Sequence, residues 1–478
     1  MKTGLGLVAA VALILLASGA VAEEVAGLPL HIQKLDPGVI RVWVGDHISS
    51  TATVAIATDK GILVIDTTGN PRVDGELRRI IARELGRNDF KILINTHEHG
   101  DHTGGNSVYA DCTIVGHELV GAGMAAQAGN QARAMEWNTA RIAELQRDLE
   151  KEPADSPAVA RMREELVLSR LNLEARQASV KVCPPTKTFA DRMTLKLGGT
   201  AFELYYIGGM HSPDDIAVFV PKHGLLMTGD TMADVWLTET PGCLASFMAR
   251  PGIRHDFPLL IENWDLLLAK KDAIRKFVPG HWNGELSYAG FEARVNYVKT
   301  LWTGVNRGAD EDRSLADLQM EYRLDTRFPE LVSSPGFIQG NNYLSILGIW
   351  SAVTKQESAA DRLYTLIDQG ADDSAIRQVL DGRDAKPARY FFQEPELNAS
   401  GYRFFQADRL PQAIAMFRLN VELFPGSWNV YDSLGEALLK AGSIDTATRM
   451  YEESLRLNPE SQSGKDALAR IREPASTK

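Results

Sequence analysis

Apolar residues alternate or cluster in short runs through the first part of the chain, and recur at helical spacing later. VIRVWV (Val39–Val44), TATVAIAT (51–58) and GILVIDT (61–67) are β-rich runs split by the turn segments GDHISS and DKG. A charged amphipathic helix is expected near 74–85. FKILINT (90–96) reads as the next strand and is almost wholly apolar, as a strand buried on both faces is. Between 117 and 181 the texture changes to Ala, Glu, Arg and Leu, interrupted by EPADSP. This predicts two long helices joined by a tight turn. They form an insertion, because strand patterns resume with MTLKLGG, TAFELYYIGG and DIAVFVPKHGLLMTGD. Helices alternate with strands to about residue 306, and from about 314 the pattern is wholly helical.

Near the C-terminus Gly401, Ala413, Phe417 and Pro425 recur 34 positions on as Gly435, Ala447, Tyr451 and Pro459. The period and the small residues at expected helix crossings resemble tetratricopeptide repeats. That resemblance implies helical pairs that bind a protein or peptide partner, or a second copy of the chain. Packing on the helices before them is the competing expectation.

The N-terminus departs from both patterns. Lys2 is followed by the apolar run LGLVAAVALILLA and then by small residues up to Ala22. A basic start, a short apolar core and an A-x-A site describe a secretory signal over residues 1–22. The mature protein is then expected in the periplasm or secreted, with no membrane span after cleavage. The expected layout is a catalytic domain over 23–310 with its insertion at about 118–181, a helical connector over 311–392, and repeats over 393–472. A length of 478 residues fits such a division. With 51 basic against 62 acidic residues the formal charge is −11, which disfavours nucleic acid as a partner. The three cysteines, Cys112, Cys183 and Cys243, include no C-x-x-C pair. Cys112 and Cys183 bracket the insertion and are either a disulfide or two free thiols.

The chemistry concentrates in NTHEHGDHTGGN, where His97, His99, Asp101 and His102 follow an apolar run. Imidazole and carboxylate are the ligands zinc takes in catalytic sites. A lone histidine is usually structural, but four such groups in six residues crowd charge and lone pairs unless a metal holds them. Three later segments have the same form, an apolar run, a Gly turn and a ligand-type residue: His211 in YYIGGMHS, Asp230 in GLLMTGDT and His281 in KFVPGHW. Five histidines and two aspartates suit two metals.

H-x-H-x-D-H followed by a distant His, a G-D and a P-G-H resembles the metallo-β-lactamase superfamily. The match spans about 39–306 outside the insertion. The resemblance implies a four-layer αββα sandwich with two zinc ions at the edge where strand ends meet. His97, His99 and His211 would hold one ion, Asp101, His102 and His281 the other, with Asp230 shared. Asp66 in VIDTTG would orient ligands, a turn residue being the plainer reading. Gly104 and Gly105 would let the loop enter a helix without crowding the metals. The implied reaction is hydrolysis of an ester, lactone, thioester or amide, a β-lactam included, by a metal-activated hydroxide, with Asp101 as ligand and proton acceptor. The best-known zinc β-lactamases carry Cys at the position of Asp230 and Lys at that of Ala233, which argues against that subclass. An iron-dependent sulfur dioxygenase and a scaffold acting through its repeats are the rival classes. Trp236, Met248, His255, Trp264 and Trp282 are candidate pocket residues, with core packing as the alternative for each.

Overall fold

The computed structural model describes residues 23–47, 50–129, 131–178, 182–208, 210–231, 256–281, 286–331, 339–383, 385 and 388–472. They divide into two compact units. The first comprises the described chain up to Tyr206 together with Asp214–Ala233 and Asp272–Glu285, and holds two sheets.

The larger sheet runs in chain order: β1 (Glu24–Val25), β2 (Leu28–Asp36), β3 (Val39–Val44), β4 (Ala52–Thr58), β5 (Gly61–Ile65), β6 (Phe90–Ile94), β7 (Thr113–His117) and β8 (Lys187–Phe189). Pairing is antiparallel as far as β5 and parallel from there. A parallel step needs a crossover. The first is helix α1 (Pro71–Leu85), capped by Asn70, whose side chain accepts from the Arg72 amide, and closed by Gly86 at φ 65°. The second sheet is β9 (Arg192–Leu197), β10 (Thr200–Tyr206), β11 (Ile216–Val220), β12 (Leu225–Met227) and β13 (Lys276–Val278).

Val54, Ile56, Leu63 and Ile94 of the first sheet share one core with Phe202, Leu204, Val218 and Met227 of the second. On the other face of the first sheet, Val73, Leu77 and Ile81 of α1 pack on Val42, Val64 and Leu93. The unit therefore stacks helix, sheet and sheet. This double burial explains why β5 and β6 carry hardly any polar residues.

The insertion differs from its expectation. It contains three helices, α2 (Val120–Gly129), α3 (Gln131–Lys151) and α4 (Pro157–Gln177). EPADSP is the turn between the two long ones, because Ser156 caps α4 and Pro157 occupies its first turn. Arg141 and Glu165 join those helices through two hydrogen bonds of 2.7 and 3.0 Å. The strands β1 and β2 were not anticipated, since LPLHIQKLD mixes polar and apolar residues without a clean alternation. Cys112 and Cys183 are free thiols.

The second unit takes Ile207–Pro213, Asp234–Lys271 and Leu286–Lys478. Its described residues include helices Phe257–Leu268 and Tyr288–Asp310, where Trp264 stacks on Phe291 at 5.5 Å. Trp264 is thus a core residue. Trp236, Met248, His255, Trp282, Cys243 and the segment 1–22 lie outside the described residues. The late part is not wholly helical: Glu357–Ser358 and Tyr390–Phe391 pair as short parallel strands. Five helices close the chain, from Glu394–Gln406 to Gln462–Arg472. A Cβ on Gly401 would lie 2.4 Å from the Phe417 ring, and one on Gly435 would lie 3.1 Å from Tyr451. The 34-residue period therefore marks two matching helix crossings. Among the described residues no helix is long and apolar enough to cross a membrane.

Candidate metal centre

Strand ends deliver the ligand-type residues to one edge of the first unit. His97 follows β6 by three residues, and a single helical turn, Gly100–Thr103, carries Asp101 and His102. Asp230 follows β12, and His281 follows β13. Within the first unit two groups offer ligand atoms that all lie within 4.8 Å of one another: His97, His102 and Asp230, and Asp101, His102 and His281. His102 belongs to both. His211 is buried and sits in the short segment Ile207–Pro213 of the second unit.

The separations suit a cation. His102 Nε2 lies 3.4 Å from Asp230 Oδ2 and 3.6 Å from Asp101 Oδ2, and His281 Nε2 lies 3.6 Å from Asp101 Oδ2. Bonds of about 2.0–2.1 Å to a tetrahedral zinc place its ligands about 3.3–3.4 Å apart. His102 Nε2 is buried without a hydrogen bond, the state expected of a nitrogen whose lone pair is kept for a metal. Gly280 must be glycine here, because a Cβ would lie 2.4 Å from Asp230 Oδ1 and 2.9 Å from the His102 ring.

Electrostatics points the same way. Burial opposes charge on His102, but Asp230 and Asp101 beside it raise its pKa well above the usual imidazole range. Burial likewise opposes ionisation of Asp230, and His281 and His102 overcome it, holding the carboxyl well below its usual range. Protons on imidazole thus occupy positions that a metal would take, and metal binding would release them.

Asp66 fixes the ligands from behind. It accepts from the Thr96 amide and the Thr96 hydroxyl, both at 2.7 Å, and lies 3.1 Å from His102 Nδ1. Thr96 Oγ1, its hydrogen directed to Asp66, lies 3.1 Å from His97 Nδ1 and can accept from it. One buried carboxylate therefore sets the tautomers of two imidazoles, turning each Nε2 away from it. The residue adopts φ 57°, in the left-handed region that Asp and Asn enter more readily than other residues with a side chain. Asp66 sits in the turn after β5 and reaches Thr96 and His102, the contacts that its ligand-orienting reading requires.

Other supports were not foreseen. Arg41 of β3 is buried and donates to the carbonyls of Pro279 and His281, which ties the last ligand loop to the sheet. Gly104 and Gly105 serve a different purpose from the one expected. A Cβ on Gly104 would lie 2.7 Å from the carbonyl oxygens of Gly69 and Gly100, and one on Gly105 would lie 2.1 Å from Asp74. The loop is crowded by backbone and by Asp74, not by the metal edge.

Asp74 is fully buried and accepts from the amide and hydroxyl of Thr68. Burial pushes its pKa up to about 7, with the Thr68 hydrogen bonds opposing. In the unfolded chain it would titrate near an ordinary carboxyl value, about 4. The folded state then holds the extra proton between those values, so stability falls as pH rises through that window and is lowest above it. Asp74→Asn is expected to flatten the dependence of the urea midpoint between about pH 5 and 8 and to exceed the parent at the upper end. Parallel pH profiles for the two proteins would contradict this.

Comparison with known proteins agrees with this geometry. Residues 48–281 match the family model described as Metallo-beta-lactamase superfamily. Among curated proteins, the chain is 26% identical over 257 residues to the 2,4-dinitroanisole O-demethylase subunit alpha of Nocardioides sp. (strain JS1661), covering 53% of this chain. It is 29% identical over 118 residues, 24% of its length, to the metallo-beta-lactamase type 2 of Bacteroides fragilis. The chain spans 58% and 41% of the lengths of those relatives. Among solved structures, a metallo-beta-lactamase from Pontibacter korlensis aligns at 18% identity and a TM-score of 0.36, over 56% of this chain and 99% of that one. A double mutant of a sec-alkyl sulfatase aligns at 12% identity and a TM-score of 0.45, over 93% of this chain and 66% of that one. On the family match and the ligand geometry together, this chain carries a metallo-beta-lactamase superfamily domain.

Proposed function

We propose that the chain is an exported hydrolase that binds two zinc ions and cleaves an ester, lactone, thioester or amide bond of a small molecule. The observation that carries the reading is the overlap of two ligand groups at His102, with Asp230 beside it. His97, His99 and His211 would hold the first ion, and Asp101, His102 and His281 the second, with Asp230 shared between them.

Zinc bound there would supply Lewis acidity and water activated at neutral pH. The protein's own groups do the rest. Asp101 is half-exposed, so its carboxylate can meet both a ligand position and the substrate. Its charge is favoured: burial opposes it, and His102 and His281 hold the carboxyl below its usual range. It is the group to orient the attacking water and take its proton. Asp66 and Thr96 keep the imidazoles in their ligating tautomers, and Arg41 holds the His281 loop.

The Nocardioides relative brings a second reading, O-demethylation, so an aryl methyl ether belongs among the test substrates. The C-terminal helices are read as tetratricopeptide-like repeats that bind a peptide or a second copy, supported by the matched crossings at Gly401 and Gly435. The test is metal analysis of the purified full chain, followed by assays on β-lactam, thioester, lactone, phosphodiester, sulfate-ester and aryl methyl ether substrates. Two zinc ions with hydrolysis of an acyl substrate are expected. One iron ion with sulfur oxidation, or a folded protein that retains no metal, would overturn the proposal.

A further inference from the structure

A cavity of about 470 Å3 lies beside His99 and Asp101. That volume is within the range of small-molecule sites, about 300–1,000 Å3. Its lining is mixed: Glu98, Asp101, Gln127 and Arg176 are among its polar residues, and its apolar side comes mainly from two sources. Leu28 and Val44 belong to the first sheet, whereas Met124, Leu168, Leu171 and Ala175 belong to the inserted helices.

A space of this size persists where its walls are held in place. Polar ties hold them here. Asn70 Nδ2 donates to the Leu171 carbonyl at 2.8 Å, a buried bond between the head of α1 and α4. Arg72 forms a two-point bridge to Glu174, at 3.0 and 3.1 Å. The His47 amide donates to the Glu164 carboxylate, which joins the loop after β3 to α4. On the other helix, Gln127 Nε2 donates to the Glu98 carbonyl at 2.9 Å, between the ligands His97 and His99. Gly123 permits that approach, because a Cβ there would lie 2.7 Å from the Glu98 side chain. The insertion is anchored to the ligand loop and to α1, and its apolar side chains face a space that ends at the metal edge.

We infer that this chamber receives the apolar acyl group of the substrate, and that Leu168 and Ala175 set the length it accepts. The substrate class is an ester, thioester or amide of a medium-chain or aryl-substituted carboxylic acid. This rests on the hydrolytic reading of the site. In the reaction the carbonyl carbon gains the oxygen of one water, its bond to the leaving oxygen, sulfur or nitrogen breaks, and the leaving atom takes a proton from that water. The inserted helices are then a specificity element, not a solvated decoration.

The test uses the zinc-loaded full chain and p-nitrophenyl esters from acetyl to octanoyl. Wild type is expected to show kcat/KM at least about 100-fold higher for octanoyl than for acetyl, since one methylene buried in an apolar pocket is worth about tenfold or more and full burial of two of the six added methylenes already gives that ratio. Leu168 and Ala175 line the chamber and are only partly buried, so Leu168→Trp and Ala175→Trp both narrow it; Leu168 also packs against the core and Ala175 does not, so the second variant keeps the test valid if the first fails to fold. Each is expected to cut the octanoyl-to-acetyl ratio at least about tenfold. A flat series in wild type, or a ratio unchanged in both variants, would overturn the inference. Titration calorimetry with octanoate and acetate separates the two readings. If no ester is cleaved, yet wild type binds octanoate about tenfold tighter than acetate and Leu168→Trp does not, the hydrolytic reading fails and the chamber stands. Equal binding of the two anions by wild type sinks the chamber itself.

Discussion

Replacing His102 by Ala is expected to lower turnover at least about 1,000-fold and to leave less than one metal ion per chain. His102 is completely buried and is the one imidazole common to both ligand groups of the first unit. Its removal affects both positions, whereas His97 and His281 each belong to one of those groups. The metal-free variant should also lose stability. Asp230 would keep His281, whose Nε2 lies 3.0 Å from it, as its remaining partner, so the loss is expected to stay below that of a buried charge left without any partner, about 3–5 kcal/mol. Circular dichroism at low temperature would show that the variant is folded, and metal analysis with a turnover assay would give the rest. A folded His102→Ala protein with full metal content would contradict the assignment.

Asp66→Asn is expected to weaken metal binding by about 10- to 100-fold, the range for a partner that orients a ligand. Asn tolerates the left-handed backbone of this position and keeps one oxygen for the Thr96 amide. It cannot also accept from the Thr96 hydroxyl and His102 Nδ1, so at least one imidazole loses its fixed tautomer. Asp66→Ala goes further: the buried Thr96 amide loses its acceptor, at a cost of about 1–3 kcal/mol in addition. Competition against a chelator of known affinity would measure the first effect and urea unfolding the second. Unchanged affinity in Asp66→Asn would leave the carboxylate with a backbone role alone.

The ligand-type residues were legible because they obey a local rule. The first four fall within six positions at the end of an apolar strand, and the later three each follow an apolar run through a glycine turn, so His97, Asp101 and His102 could be named without a fold. The strands β3 to β6 were legible for the same reason, since a strand buried on both faces leaves a nearly unbroken apolar run. What could not be read depends on distant partners. Arg41 resembles any charged residue in an alternating strand, and its bonds to Pro279 and His281 span about half the chain. Asp74 looks like an ordinary acidic residue in the first turn of a helix, yet it is buried under Gly105. The insertion was visible as a change of texture, but its anchors, Asn70 to Leu171 and Gln127 to Glu98, join segments with no shared pattern. Leu28 lies on a strand that sequence alone did not reveal, so one wall of the chamber was hidden with it.

The resemblance supplied what spacing could not, namely the pairing of seven scattered residues into two metal positions. The geometry of the first unit brings Asp101, His102 and His281 within ligand distance of one another, and it also groups His102 with His97 and Asp230, across the division that the resemblance implies.

The central claim, two metal ions on one set of residues, has a direct measurement. The full chain would be reconstituted with zinc, freed of loosely held metal by gel filtration, and analysed by inductively coupled plasma mass spectrometry against protein concentration. The account predicts two zinc ions per chain. One ion, none, or a preference for iron over zinc under the same treatment would contradict it.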